Sequence, residues 1–177
     1  MNNSRFNTYK LSSAAIVAAV YAVLTLVLAP ISYGEIQCRV SEALCILPFF
    51  VPFTSWGLFA GCLIANLFTG NIFDIVFGSL ATLFAALCTA YIGKKGNDMK
   101  HCALACFMPV IFNAVIIGAV ITGGYEGLNI FENLDVVAVT GLWVGLGEAV
   151  VMYALGYPLT VLLPRMRVFT DATERLA

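Results

Sequence analysis

Charge is scarce in this chain. Only 11% of its 177 residues are Asp, Glu, Lys or Arg, less than half the share a soluble domain carries, which excludes an ordinary water-facing globule. Histidine occurs once, at His101 beside the lysine-bearing loop and on the opposite side from the carboxylates, so a serine-histidine arrangement for intramembrane hydrolysis is poorly supported. Neither H-E-x-x-H nor G-x-x-x-x-G-K-[ST] is present; zincin-type hydrolysis and a self-contained ATP site are both unsupported. Net charge is -1, with no basic surface to neutralise phosphates, and nucleic acid is not an expected partner. None of the six cysteines (Cys38, Cys45, Cys62, Cys88, Cys102, Cys106) forms a C-x-x-C pair, and most lie inside apolar runs. They read as small buried residues rather than as a zinc site or disulfide framework. His101 with Cys102 and Cys106 lacks a fourth ligand, so no metal is expected.

What the chain has instead is apolar length: 61% of its residues are hydrophobic and mean hydropathy is +0.94. A spanning helix takes about 20 apolar residues, so the length holds about six or seven spans and leaves no soluble catalytic domain. The expected class is an all-α polytopic membrane protein, a single integral domain over residues 1–177. The N-terminus Met1 to Lys10 is polar and the run after it is too long for a signal h-region, so no cleaved peptide is expected.

Apolar runs cover Leu11–Ile31, 40–69, 72–92 and 102–121, and a last run starts between Val136 and Gly141 and ends at Leu163. The 40–69 run is interrupted by Pro48, Pro52 and the Thr54 to Gly57 stretch, and reads as one kinked helix or two short ones. Parity decides between them, because Lys and Arg concentrate in cytoplasmic loops. Six spans with both termini inside put Arg5, Lys10, Lys94, Lys95, Lys100, Arg165, Arg167 and Arg175 in the cytoplasm and leave only Arg39 outside. One span there would strand Lys94, Lys95 and Lys100. The expectation is therefore a six-transmembrane-helix bundle whose second and third helices are short.

An ionised side chain near the bilayer centre costs about 2.5 to 3.5 kcal/mol on insertion scales, so each one needs a reason to be there. Glu35, Arg39 and Glu42 flank the start of the second helix, Asp74 opens the fourth, and Glu126, Glu132 and Asp135 lie in the outer loop before the last span. Glu148 and Asn113 lie deeper, and Asn66 is near the outer end of the third helix. Amides, carboxylates and one arginine thus converge on the outer half, with Tyr33, Phe49, Tyr125 and Trp143 as candidate wall residues; together they suggest an outward-open polar pocket. Structural roles exist for several of them: Glu42 can pair with Arg39, Asp74 can serve as an N-terminal helix charge, and the two asparagines can join helices. Ala14, Ala15, Ala18, Ala19 and Ala22 make i,i+4 pairs of small residues in the first span, suited to bundle packing or to a partner helix.

Ile31-Ser-Tyr-Gly-Glu-Ile-Gln37, Arg39-Val-Ser-Glu-Ala-Leu44, Gly57 to Asn66 (GLFAGCLIAN), Asp74 to Leu83 (DIVFGSLATL) and Gly147-Glu148 together resemble the QueT family of substrate-binding S components of energy-coupling factor transporters. The resemblance spans nearly the whole chain; Glu35 departs from it, standing where an uncharged residue is expected. It implies a membrane receptor in the plasma membrane of a prokaryote that captures a queuosine precursor, such as prequeuosine-1 (7-aminomethyl-7-deazaguanine). It further implies association with a transmembrane coupling protein, contacted by the alanine strip, and with two cytosolic ATPases that use the ATP, so that no cofactor is held by this chain.

That ligand suits the residues. One carboxylate can accept both the ring N–H and the exocyclic amine of a guanine-type edge, and Glu148 is the leading candidate. Arg39, Gln37, Asn66 or Asn113 can donate to the ring carbonyl, Asp74 or Glu42 can hold the aminomethyl cation, and Trp143 or Tyr33 can face the ring. Alternatives are an S component for another vitamin and a small intramembrane enzyme; transport is favoured over catalysis.

Overall fold

A computed structural model describes residues 8–33 and 38–176. Arg5, Glu35 and Gln37, named above, lie outside the described residues. The described chain is helical throughout, with no strand. Helix α1 is Thr8–Val27, α2 is Val40–Phe50, α3 is Thr54–Leu67, α4 is Asp74–Gly93, α5 is Met99–Tyr125, α6 is Leu134–Arg165 and α7 is Arg167–Leu176. Four of these, α1, α4, α5 and α6, are long and apolar enough to cross a membrane.

The 40–69 run folds as two helices because Pro52 and the turn around it break the ladder between Phe50 and Thr54. The Thr54 hydroxyl donates to the Val51 carbonyl at 2.7 Å and fixes that turn. Helix α3 has 14 residues and so reaches about 21 Å, short of the ~30 Å hydrocarbon thickness. Helix α6 extends 32 residues, starting at Leu134, ahead of the run expected from Val136 onward. In α1 the helix stops at Val27, and Pro30 starts a separate turn, Ala29–Ser32.

Pro109 lies inside α5, where it removes the N–H that would bond the Ala105 carbonyl. The Thr89 hydroxyl of α4 donates to that carbonyl at 3.2 Å, so a neighbouring helix supplies the missing bond. Close packing uses small residues. A Cβ on Gly57 would stand 2.5 Å from the Ala14 carbonyl oxygen and one on Gly61 2.6 Å from that of Ala18, so α1 and α3 pack backbone to backbone. Gly141 of α6 meets Ala114 and Gly118 of α5 in the same manner.

The bundle has two chemically different ends. At one, Phe50 packs edge-on against Phe169 of α7 at 5.5 Å, Gly93 rests on the Phe49 carbonyl, and α7 touches α1. Lys94 and Lys95 follow Gly93 directly, so this is the basic end. Before α5, Asp98 pairs with His101, and that hydrogen bond holds the exposed Asp98 carboxyl below its usual range. The opposite end carries Glu126 and Glu132 of the α5–α6 loop and Asp135, which was expected in that loop but lies in the first turn of α6, all exposed. Apolar packing around Ile46, Phe49, Ile92, Cys106, Val110 and Met152 fills the basic half.

Candidate functional site

The other half of the bundle encloses polar side chains. Relative exposure is 0% for Glu42 and Asn66, 2% for Asp74 and Glu148, 3% for Arg39 and 4% for Asn113, so every one has left water. Burying such groups costs several kcal/mol unless partners compensate, and the partners are therefore informative.

Glu42 is well supplied. Its Oε1 accepts from the Tyr21 hydroxyl of α1 and, at 3.0 Å, from the Thr82 hydroxyl of α4, while Oε2 accepts from the Cys45 thiol at 2.9 Å. Thr25, one turn beyond Tyr21, shares a 2.6 Å hydrogen bond with Ser41 and donates to the Tyr21 carbonyl at 2.9 Å. Asn66 donates its amide to the Asp74 main-chain carbonyl at 2.9 Å and to Ser79 at 3.5 Å, which closes the α3–α4 loop and fixes the amide orientation. Tyr125, from the end of α5, donates to Asp74 Oδ2 at 2.5 Å.

Arg39 precedes α2 in extended backbone. Its Nη1 reaches the Cys62 sulfur at 3.8 Å, and the guanidinium lies 5.2 Å from the centre of the Tyr33 ring. The Tyr33 hydroxyl in turn donates to the Ala65 carbonyl at 3.1 Å. Arg39 and Glu42, which could have paired, form no ion pair: three donors occupy the Glu42 carboxylate, and Thr82, bonded to Glu42, also contacts the Cys62 sulfur that receives Arg39. Asn113, Arg39, Glu42 and Cys45 are among the polar neighbours of Glu148. It lies 14 residues into α6, about 21 Å along the helix, and Asn113 lies 12 residues from the end of α5, about 18 Å, so the two meet at one depth.

Five buried atoms of the cluster have no hydrogen-bond partner among the described residues: Arg39 Nε and Nη2, Asn66 Oδ1, Asp74 Oδ1 and Glu148 Oε1. The two arginine atoms form the side-on edge of the guanidinium, the edge that grips an oxygen acceptor. Two donor atoms and three acceptor atoms therefore stand desolvated and unused by the described residues.

Of the residues expected at the site, the structure gathers Arg39, Glu42, Asn66, Asp74, Asn113, Glu148 and Tyr33. Trp143 is 51% exposed and faces away. Phe49 belongs to the apolar core of the basic half instead. The alanines divide: Ala14, Ala18 and Ala22 are buried, the first two against Gly57 and Gly61 of α3, while Ala15 and Ala19 are exposed. Sequence reasoning missed Tyr21, Thr82, Cys62 and Cys45. The available signal was Tyr21 and Thr25, a hydroxyl pair at i,i+4 in an otherwise apolar span.

A profile of the QueT transporter family matches residues 11–165. This chain belongs to the QueT transporter family. It is also 42% identical over 78 residues to the queuosine precursor transporter QueT of Lactococcus lactis subsp. cremoris (strain MG1363). That match covers 43% of this chain and 46% of the relative, so the chain spans about half of the relative's length. No solved structure matches. The QueT region runs from within α1 to the last residue of α6, and every residue of the polar cluster falls inside it. With its four long apolar helices, this QueT chain is a multi-pass membrane protein.

Proposed function

We propose that the chain is the substrate-capturing S component of an energy-coupling factor importer, and that it takes up a queuosine precursor, 7-aminomethyl-7-deazaguanine above others. The observation that carries this reading is the set of unpartnered buried atoms on Arg39, Asn66, Asp74 and Glu148. Along one edge this ligand presents an aminomethyl cation, then a ring carbonyl, then the paired N–H donors of a guanine. Asp74, Arg39 and Glu148 offer a carboxylate, a two-donor edge and a carboxylate, and Arg39 is the electrostatic neighbour of both acidic residues. Asp74 receives the cation, Arg39 the carbonyl and Glu148 the paired donors, while Asn66 Oδ1 accepts from the remaining ring N–H and Tyr33 flanks the ring. Three buried carboxyl groups against one guanidinium leave an acidic surplus that a cationic ligand offsets.

In this reading all six apolar helices cross the membrane, α2 and α3 being sheltered within the bundle, and both termini face the cytoplasm. The distribution of basic residues supports it: Lys10, Lys94, Lys95, Lys100, Arg165 and Arg167 share one end, and Arg39 is at the other. ATP is hydrolysed by two cytosolic partner subunits, and a transmembrane coupling protein docks on the exposed Ala15 and Ala19 of α1. The role is transport, without catalysis by this chain. The test is a thermal-shift panel on the purified protein with deazaguanines, flavins, thiamine and biotin, since a ligand that binds only the folded state raises its melting temperature. Selective stabilisation by 7-aminomethyl-7-deazaguanine is expected. Selective stabilisation by another vitamin, or turnover of a ligand without partner subunits, refutes the assignment.

A further inference from the structure

Glu42 differs from the other buried acids in having almost no capacity left for a ligand. An ionised carboxylate has about four lone-pair positions, and Tyr21, Thr82 and Cys45 occupy three of them. The same Thr82 hydroxyl also lies 3.3 Å from the Cys62 sulfur, which receives Arg39 Nη1 at 3.8 Å. Arg39 therefore has its counter-charge close by yet is not gripped by it, and its Nε and Nη2 have no partner among the described residues.

We infer that Glu42 does not contact substrate, and that Tyr21 and Thr82 are positioning residues which, by occupying Glu42, keep the side-on edge of Arg39 open for the substrate carbonyl. A carboxylate relieved of these donors in a water-poor site has one strong partner within reach, the guanidinium, and a bidentate pair between them would consume the edge that binding needs. The network thus separates two tasks of one acidic residue: it neutralises Arg39 from a distance and leaves its hydrogen bonds unspent. It also ties α1, through Tyr21, to the segment that carries Arg39.

This inference rests on the proposed capture of a deazaguanine, and a double-mutant cycle separates the two. Affinity for 7-aminomethyl-7-deazaguanine is measured by titration calorimetry for the parent, Tyr21→Phe, Thr82→Val, Thr82→Ser, Arg39→Lys and Tyr21→Phe with Arg39→Lys. Lysine keeps the charge but has no side-on edge. Tyr21→Phe and Thr82→Val are each expected to weaken binding by about 10-fold or more, the scale of one hydrogen bond to a charged group. Thr82→Ser, which keeps the hydroxyl, is expected to bind within about 3-fold of the parent, and in the Arg39→Lys background Tyr21→Phe should cost less than about 3-fold. Equal losses from Tyr21→Phe in both backgrounds would identify a merely structural hydroxyl and overturn the inference, as would parent-like binding by Tyr21→Phe and Thr82→Val. In either case the parent's own affinity leaves the transport reading standing; a parent that binds no deazaguanine removes both.

Discussion

Tyr125 donates its hydroxyl to Asp74 Oδ2 at 2.5 Å, joining the end of α5 to the first residue of α4, while Asp74 Oδ1 has no partner among the described residues. The carboxylate is thus held from one side and free on the other. That is the arrangement expected of a group that receives a cation without rearranging.

Asp74→Asn removes the charge but keeps the size. It should weaken the aminomethyl ligand by at least about 30-fold and its neutral nitrile analogue by less than about 3-fold, because only the first presents a cation. Tyr125→Phe removes one donor and leaves the charge, so its effect on the aminomethyl ligand should be smaller than that of Asp74→Asn. Titration calorimetry with both ligands measures this, and an equal loss of the two ligands in Asp74→Asn would remove the cation role.

The α1–α3 seam yields a stability prediction. A Cβ at Gly61 would lie 2.6 Å from the Ala18 carbonyl oxygen and 2.9 Å from Tyr21 Cβ, contacts that only backbone movement can relieve. Gly61→Ala should destabilise the protein by about 1 to 3 kcal/mol, the usual cost of overpacking. It should also weaken ligand binding, since the shift passes through Tyr21. Melting in detergent with and without ligand checks both, and an unchanged melting temperature would refute backbone-to-backbone packing at this seam.

The same helix has an opposite face. Ala15 and Ala19 are exposed, whereas Ala14 and Ala18 are sealed against glycines. Ala15→Trp and Ala19→Trp should therefore leave folding and ligand affinity intact while abolishing co-purification with the coupling protein and uptake. Ala18→Trp should fail to fold. Normal assembly by both exposed-face variants would move the partner interface elsewhere.

Much of this was legible from cost. Arg39, Asp74 and Glu148 stand out because a charge in an apolar run must be there for a reason, and in the structure Arg39 neighbours both acids, Asn113 neighbours Glu148 and Asn66 bonds the Asp74 main chain. The two short helices were legible from Pro48, Pro52 and the parity of the basic residues. Facing was less so. Trp143 and Glu148 are five residues apart on one helix, a spacing that does not put them on one face, and Trp143 points outward. Five alanines in one span satisfy i,i+4 spacing on two adjacent faces, so sequence alone could not divide Ala14 and Ala18 from Ala15 and Ala19. Tyr21 was hidden because a tyrosine in an apolar run also suits a membrane helix, and its partner lies 21 residues away.

Topology can be examined apart from ligand chemistry. Phe131 is 87% exposed in the loop between α5 and α6, and Lys95 is exposed after α4. On a cysteine-depleted background, Phe131→Cys should react with an impermeant maleimide added outside, and Lys95→Cys only after the membrane is opened. The reverse pattern would invert the chain and place the polar cluster toward the cytoplasm.

Glu148 gives the most general test of the site. Its Oε1 has no partner among the described residues, the side chain is 2% exposed, and Asn113 meets it at its own depth from the neighbouring helix. If this carboxylate reads the paired N–H donors of a guanine-type ring, every deazaguanine uses it, whatever substituent the ring carries. Glu148→Gln turns one acceptor oxygen into a donor that opposes a ligand donor, and it also removes the charge. Losing a buried charged partner costs roughly 2 to 5 kcal/mol, or about 30-fold to several thousand-fold in affinity. The aminomethyl and nitrile ligands should lose this by the same factor, in contrast to the split expected for Asp74→Asn. Asn113→Ala should follow Glu148→Gln in pattern but with a smaller loss, because it only orients the carboxylate. Calorimetric titration of both ligands, with circular dichroism to confirm the helical fold, resolves the cases. Parent-like binding by Glu148→Gln would show that the guanine edge is read elsewhere in the cluster, and a loss confined to the aminomethyl ligand would exchange the roles of Glu148 and Asp74.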